Sequence, residues 1–280
     1  MGDDMTEHLT VDGGTIAYEV TGVGPLVVLA HGMGDSRAAY RFLAPALVAA
    51  GYRVAAVDLR GSGESSVGWT SYTRTDIAGD LIALVEHLGG PAVLVGHSIS
   101  GGAVTIAAAT APSQVTAVVE LAPFTRKQQI ALGDLRNARF RRGMRHLLGT
   151  ALLGSTGQWR RYLAVAYPGP KPTDWDARLD QIEAMLREPG RMKALQGMGR
   201  TAPTDAGARL ADVRCPVLVV QGTLDPDWAS PQAEGEAIAA ALPPGLGRLA
   251  MVDGAGHYPH VQFPDQVSAL VLSFLDSVRA

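Results

Sequence analysis

The sequence predicts an α/β fold, a doubly wound and mostly parallel eight-stranded sheet with helices on both faces and a helical cap inserted after the sixth strand. Three observations carry this expectation. Short β-type runs alternate with helical stretches up to residue 122 and again after residue 210. The central runs Leu26-Val-Val-Leu-Ala30, Ala92-Val-Leu-Val95 and Pro216-Val-Leu-Val-Val220 are apolar at nearly every position, the mark of strands buried on both faces. Residues 124–205 break the rhythm, with no strand pattern and 15 of the chain's 24 Lys and Arg against seven Asp and Glu.

Strands are expected at His8–Val11, Thr15–Val20, Leu26–Ala30, Arg53–Val57, Ala92–Val95, Val115–Ala122, Pro216–Gln221 and Arg248–Val252. Asp12-Gly13-Gly14 between the first two is a hairpin signal, so the sheet opens with an antiparallel pair. Helices fit at Ala38–Ala50, Asp76–Leu88, Ser98–Thr110, Pro231–Leu242 and Pro264–Val278. Asp76 suits a helix cap, Pro231 and Pro264 suit first turns, and Gly51 and Gly89 follow helix ends. The core is expected to comprise residues 1–123 and 206–280, with 124–205 as the cap and Pro168-Gly-Pro-Lys-Pro172 as its main break.

Composition excludes several classes. The 280 residues are 47% hydrophobic and 18% charged, which suffices for a full core and is too apolar for disorder. A net charge of −3 gives no whole-chain attraction to nucleic acid or to an anionic membrane. The cap carries +8 and the remainder −11. A lone Cys215 excludes an intrachain disulfide and fits a reducing compartment. The acidic opening, Met1 to His8, has no apolar core of a signal peptide, and no apolar run approaches the ~20 residues of a spanning helix. The expectation is a cytoplasmic protein with a small-molecule substrate, no nucleic-acid partner and no membrane insertion; oligomeric state is not readable.

The sharpest chemical signal is Val93-Leu-Val-Gly96-His97-Ser98-Ile99-Ser100-Gly101-Gly102, an apolar strand running straight into Gly-His-Ser and an Ala-rich helix. A serine on so tight a turn is pushed above the sheet edge with its hydroxyl at a helix N-terminus. The segment resembles the nucleophile elbow of the α/β-hydrolase family, and the chain outside the cap follows that family's order. One departure stands out: Gly-x-Ser-x-Gly would put glycine at position 100, and here it is Ser100.

A serine hydroxyl needs a general base. His257, in Gly254-Ala-Gly256-His257, is similar to the family's Gly-x-Gly-His ending and is the favoured base; His260 is its competitor, read as a rim or packing residue. The base needs an acceptor, and Asp225, just beyond the buried strand Val217-Leu-Val-Val-Gln-Gly222, provides one. The chain order Ser98, Asp225, His257 is that of an α/β-hydrolase triad. Asp227 is the nearest alternative, otherwise an exposed loop charge, and Glu120 a distant one, otherwise a strand-end carboxylate. By resemblance, the backbone N–H groups of Met33, in His31-Gly32-Met33-Gly34, and of Ile99 form the oxyanion hole. His31 and His97 are read as structural.

Asp58-Leu-Arg60-Gly-Ser-Gly-Glu-Ser65 resembles the family's turn after the fourth strand, and without Gly-x-Gly-x-x-Gly spacing it is scaffolding. No third ligand accompanies His257 and His260, so neither a metal nor a cofactor is expected. Cys215 is read as a buried, inert thiol. Phe124, Phe140, Trp159, Tyr162, Tyr167, Trp175, Met144, Met185 and Met198 are candidates for an apolar pocket, and Arg136, Arg139, Arg141, Arg142 and Arg145 for a solvated helix face or an anion-attracting one. The resemblance implies a serine hydrolase acting on a small to medium carboxylic ester, lactone or thioester through an acyl-enzyme on Ser98. Serine at the elbow argues against dehalogenase and epoxide hydrolase chemistry, which in this fold use aspartate there. A signal-binding protein with little turnover, a carbon–carbon bond hydrolase and a perhydrolase are the alternatives.

Overall fold

The computed structural model describes residues 6–279; the opening residues 1–5 of the acidic segment lie outside the described residues. Strands β1 (Glu7–Val11) and β2 (Gly14–Thr21) form the expected hairpin, with Gly13 at φ +88° supplying the left-handed turn residue. Then come β3 (Leu26–Ala30), α1 (Leu43–Ala49), β4 (Arg53–Val57), α2 (Arg74–His87), β5 (Ala92–His97), α3 (Ile99–Thr110) and β6 (Val115–Leu121). Five helices separate β6 from the next strand: α4 (Ala138–Leu153), α5 (Thr156–Ala166), α6 (Trp175–Arg187), α7 (Arg191–Gly199) and α8 (Thr204–Gly207). The chain closes with β7 (Val217–Gly222), α9 (Pro231–Ala241), β8 (Gly247–Val252), α10 (Pro259–Gln262) and α11 (Pro264–Arg279).

Among the described residues eight strands form one sheet in the order β1-β2-β4-β3-β5-β6-β7-β8, antiparallel at β1–β2 and β2–β4 and parallel elsewhere. The two-residue period of a strand explains why the central runs are apolar throughout. Val28 faces one core with Ile77 and Leu81 of α2 and Ile106 of α3. Its neighbours Val27 and Leu29 face the other, with Leu43 and Leu47 of α1 and Val271 and Phe274 of α11. Both faces are therefore dry, and the C-terminal ends of β3, β5, β7 and β8 converge on one edge, where sites of such sheets assemble. No described helix is long and apolar enough to cross a membrane.

Two helix expectations need correction. The stretch Ala38–Ala50 is not one helix; a 3₁₀ turn, Arg37–Tyr40, precedes α1. Pro45 lacks an N–H and its ring would strike the carbonyl four residues back, at Arg41, so the helix starts only at Leu43. Asp76 is not the cap of α2. Thr73 is, accepting from the Asp76 N–H, while the Asp76 carboxylate accepts from the Thr73 N–H, a reciprocal capping box.

Candidate active site

Ser98 sits between β5 and α3 with φ +55° and ψ −117°, a conformation that side-chain-bearing residues avoid. Among the described residues only Ala122 shares a positive φ without being glycine. It lies on the adjoining strand end, where Phe124 N–H donates to the Ser98 carbonyl at 2.9 Å. The strain is confined to this edge. It also explains the small neighbours, because a Cβ on Gly96 would lie 2.2 Å from the Ser100 carbonyl oxygen and one on Gly101 2.5 Å from Pro123. Ser100, where glycine is usual, is fully buried and donates its hydroxyl to the His31 carbonyl at 2.6 Å. The departure from the motif therefore ties α3 to the loop after β3.

That loop carries Met33. A Cβ on Gly32 would come within 2.7 Å of the His97 ring and 3.0 Å of the Ser98 Cβ, so only glycine lets the loop pass so close to the serine. His31 is structural: Leu59 N–H donates to its Nε2 at 3.1 Å and its Nδ1 bonds the Gly32 carbonyl at 2.6 Å. Burial, against the attraction of Asp58 and Asp35, lowers its pKa and keeps it neutral. Ile99 opens α3, where first-turn amides lack intrahelical partners. Met33, Ser98 and Ile99 all border one cavity of about 340 Å³.

Asp225 and His257 meet from separate strand ends. Asp225 Oδ2 lies 3.0 Å from His257 Nδ1 and accepts from Gln221 Nε2 at 3.0 Å, while Asp225 Oδ1 accepts from the Asp227 N–H at 2.9 Å. The His257 backbone is held at both ends: its N–H donates to the Ala166 carbonyl at 2.9 Å, and its carbonyl accepts from His97 Nε2 at 2.8 Å. With Nδ1 on Asp225, Nε2 is left to handle a proton. His97 is thereby also structural, and burial drives its pKa well below the usual value. His260 is buried and packs between Tyr40 and His97; desolvation lowers its pKa to about 3, so it packs rather than lines a rim.

Asp227 is not the exposed loop charge the sequence suggested. Its side chain is buried, its Oδ2 is 3.4 Å from His257 Nδ1, and it accepts from the Tyr162 hydroxyl of α5 at 2.6 Å. Nothing local signals this burial, because the covering tyrosine comes from 65 residues upstream. Desolvation and the Asp225 charge raise the Asp227 pKa to about 6, against the pull of His257 and Tyr162. On His257, burial favours the neutral ring, but the facing Asp225 and Asp227 carboxylates overcome it and raise the pKa to about 9. Glu120 is a buried residue of β6 held by Thr105 and Thr125, and no hydrogen bond or ion pair among the described residues joins it to His257.

The cavity wall is mostly apolar, with Arg74, Gln128, Gln196 and Asp227 among its polar members beside Ser98. Phe124, Phe140, Met144, Trp159 and Met198 of the expected set line it, joined by Leu147 and Leu195. Tyr167 instead stacks on Tyr258 and packs against the tilted ring of Trp175, and Met185 Sδ accepts from the Gly63 N–H. The Asp58 turn wraps its own carboxylate, which accepts from Arg37 and Glu64 N–H groups, as scaffolding should. Cys215 is buried and desolvation lifts its thiol to about 11.

A model of the alpha/beta hydrolase family matches residues 27–270. The chain is 30% identical over 277 residues to 2-(acetamidomethylene)succinate hydrolase of Mesorhizobium japonicum, covering 95% of this chain and 94% of that one. It is 27% identical to epoxide hydrolase A of Mycobacterium tuberculosis over 98% of both chains. A thermophilic esterase from Thermogutta terrifontis superposes with a TM-score of 0.76 at 24% identity, over 99% of this chain and 100% of that one, a likeness of fold.

Proposed function

This chain belongs to the alpha/beta hydrolase family, and on that premise we propose that it is a cofactor-independent serine hydrolase cleaving small to medium carboxylic esters, lactones or thioesters. The observation that carries the reading is a strained Ser98 bordering a mostly apolar cavity, at the sheet edge that also holds a buried Asp225–His257 pair. In the forward step His257 Nε2 takes the Ser98 hydroxyl proton as Oγ bonds to the substrate carbonyl carbon. The carbonyl electron pair moves onto its oxygen, which faces the Met33 and Ile99 amides. The tetrahedral centre then collapses, and the leaving group departs with the proton from His257. Water, deprotonated by the same ring, attacks the acyl-enzyme, releases the acid and returns the proton to Ser98.

Residues 124–205 act in this reading as a lid over the cavity, and the core is assigned to 1–123 and 206–280. Serine in place of a carboxylate at position 98 separates the proposed chemistry from the epoxide opening named for one relative. A buried, unpaired Cys215 supports a reducing, cytoplasmic setting. The test is covalent labelling: a fluorophosphonate is expected on Ser98 alone, lost in Ser98→Ala and in His257→Ala, with chromogenic short-chain esters turned over by the wild type. Label on Ser62, Ser65 or Ser100 would overturn the assignment.

A further inference from the structure

We propose that the outer face of α4, with the turn before it, docks on an anionic lipid surface and opens the cavity toward that surface. Six of the eight large hydrophobic side chains exposed among the described residues fall within residues 130–153: Ile130, Leu132, Leu135, Leu148, Leu152 and Leu153. Leu132 is 90% exposed, and Leu152 and Leu153 are each 72% exposed. Elsewhere exposed apolar residues are scattered singly, as is usual; here six fall within one segment, and Leu135 and Leu148 line one groove.

The same segment concentrates cations. Residues 124–173 hold ten Lys and Arg and one acid, Asp134, whose carboxylate is taken up by the Ala131 N–H. Arg37, Arg41, Arg60, Arg126, Arg160 and Arg178 each have a carboxylate partner. Arg136, Arg139, Arg141, Arg142 and Arg145 have none within 4.0 Å among the described residues. Helical spacing sets Arg141, Arg145, Leu148 and Leu152 along one stripe, while Phe140, Gly143, His146 and Thr150 are buried on the opposite side. A net charge of −3 for the whole chain conceals this patch.

The stripe is continuous with the cavity. Leu135, Arg141, Arg142, Met144, Arg145 and Leu148 line a shallow groove of about 700 Å³, and Met144 and Leu148 also line the cavity that Ser98 borders. A bilayer of anionic lipid supplies both things the face lacks, counter-charges for the arginines and hydrocarbon for the leucines. A second copy of this chain meets the leucines but, across a two-fold axis, sets each set of five arginines against the other. Charge complementarity therefore selects the anionic lipid surface.

The inference rests on the hydrolase reading only for the cavity it opens, and the binding assay needs no turnover. The full chain and its Ser98→Ala variant are sedimented with vesicles of phosphatidylcholine, alone or mixed with phosphatidylglycerol, at low and high salt. Both are expected to pellet with the anionic vesicles at low salt and to be released by high salt. The double variants Arg141→Gln/Arg145→Gln and Leu152→Asn/Leu153→Asn are each expected to weaken partition on the order of 10-fold or more. Leu152→Asn/Leu153→Asn should hydrolyse a soluble short-chain ester at the wild-type rate, which shows that it is folded. The proposal is overturned by no pelleting at low salt, by equal pelleting with neutral vesicles, or by indifference to both double variants. A wild-type dimer that Leu152→Asn/Leu153→Asn converts to monomer, without vesicle binding, would assign the face to a second copy instead.

Discussion

Replacing Asp227 by Asn is expected to move the pH dependence of catalysis, and replacing Asp225 to lower its height. In the proposed mechanism the base must be neutral to accept the Ser98 proton, so activity should rise with pH as His257 deprotonates. In the proposed reaction the wild-type midpoint is expected near 9, since two carboxylates hold the imidazolium against the cost of burial. Above its own raised pKa of about 6, Asp227 is anionic through that titration. At 3.4 Å from Nδ1, a unit charge in an effective dielectric of about 20 contributes at most roughly 5 kcal/mol, or about 3.5 pH units. Delocalisation over both groups and the Tyr162 hydrogen bond bring this into the range of about 1–3 units usual for one adjacent charge. The rings packed against His257, those of His97, Tyr162, Tyr258 and Phe124, are unchanged by the substitution. The kcat/KM profile of Asp227→Asn on a chromogenic ester should therefore have its midpoint about 1–3 units lower, with a modest drop of the alkaline plateau from the weaker base. Asp225→Asn, which removes the group that fixes the tautomer, should lower the plateau by up to ~10⁴. An unmoved midpoint in Asp227→Asn, or a larger plateau loss there than in Asp225→Asn, refutes the division of labour.

What the sequence disclosed and what it hid divide along the range of the interactions involved. Gly96-His97-Ser98 and Gly254-Ala-Gly256-His257 are legible because close backbone packing at each site demands glycine within a residue or two. A Cβ on Gly256 would fall 2.1 Å from the Ala166 carbonyl oxygen. The central strands β3, β5 and β7 are legible because burial on both faces forces runs of apolar residues, and the half-exposed β1–β2 pair because of the Asp12-Gly13-Gly14 turn between them. The role of Asp227 is not, since its burial comes from Tyr162 on another helix. The break at Arg41-Phe42 was in principle readable from Pro45, whose ring excludes a helical carbonyl at Arg41. The hydroxyl of Ser100 found its partner in His31, 69 residues away, a contact no motif encodes.

Three further outcomes are expected. Gly34→Ala puts a methyl 2.6 Å from both Leu195 and Trp159 at a φ of +69°, so it should displace the Met33 loop and reduce kcat by about 10²-fold, the order of one lost oxyanion donor, with an unchanged far-UV circular dichroism spectrum as control. Arg178→Ala strands the buried Asp35 carboxylate, which its guanidinium and the Ser36 N–H now hold below the usual carboxylate range despite desolvation; denaturant unfolding should report a loss of about 3 kcal/mol. Glu120→Gln tests the buried acid of β6. Desolvation pushes its carboxyl up to about 7, with only the Thr105 and Thr125 hydroxyls opposing. A folded-state pKa above the unfolded value means that the native protein holds a proton which the unfolded chain releases at ordinary carboxylate pH. The stability this proton lends is complete below the unfolded pKa and declines as pH rises through about 7. Wild-type Tm should therefore fall between pH 5 and 8, and Glu120→Gln, isosteric and without a proton to lose, should flatten that fall while leaving the Tm at low pH nearly unchanged. Parallel Tm curves for the two proteins across this range would show that Glu120 ionises in the folded state as it does in water.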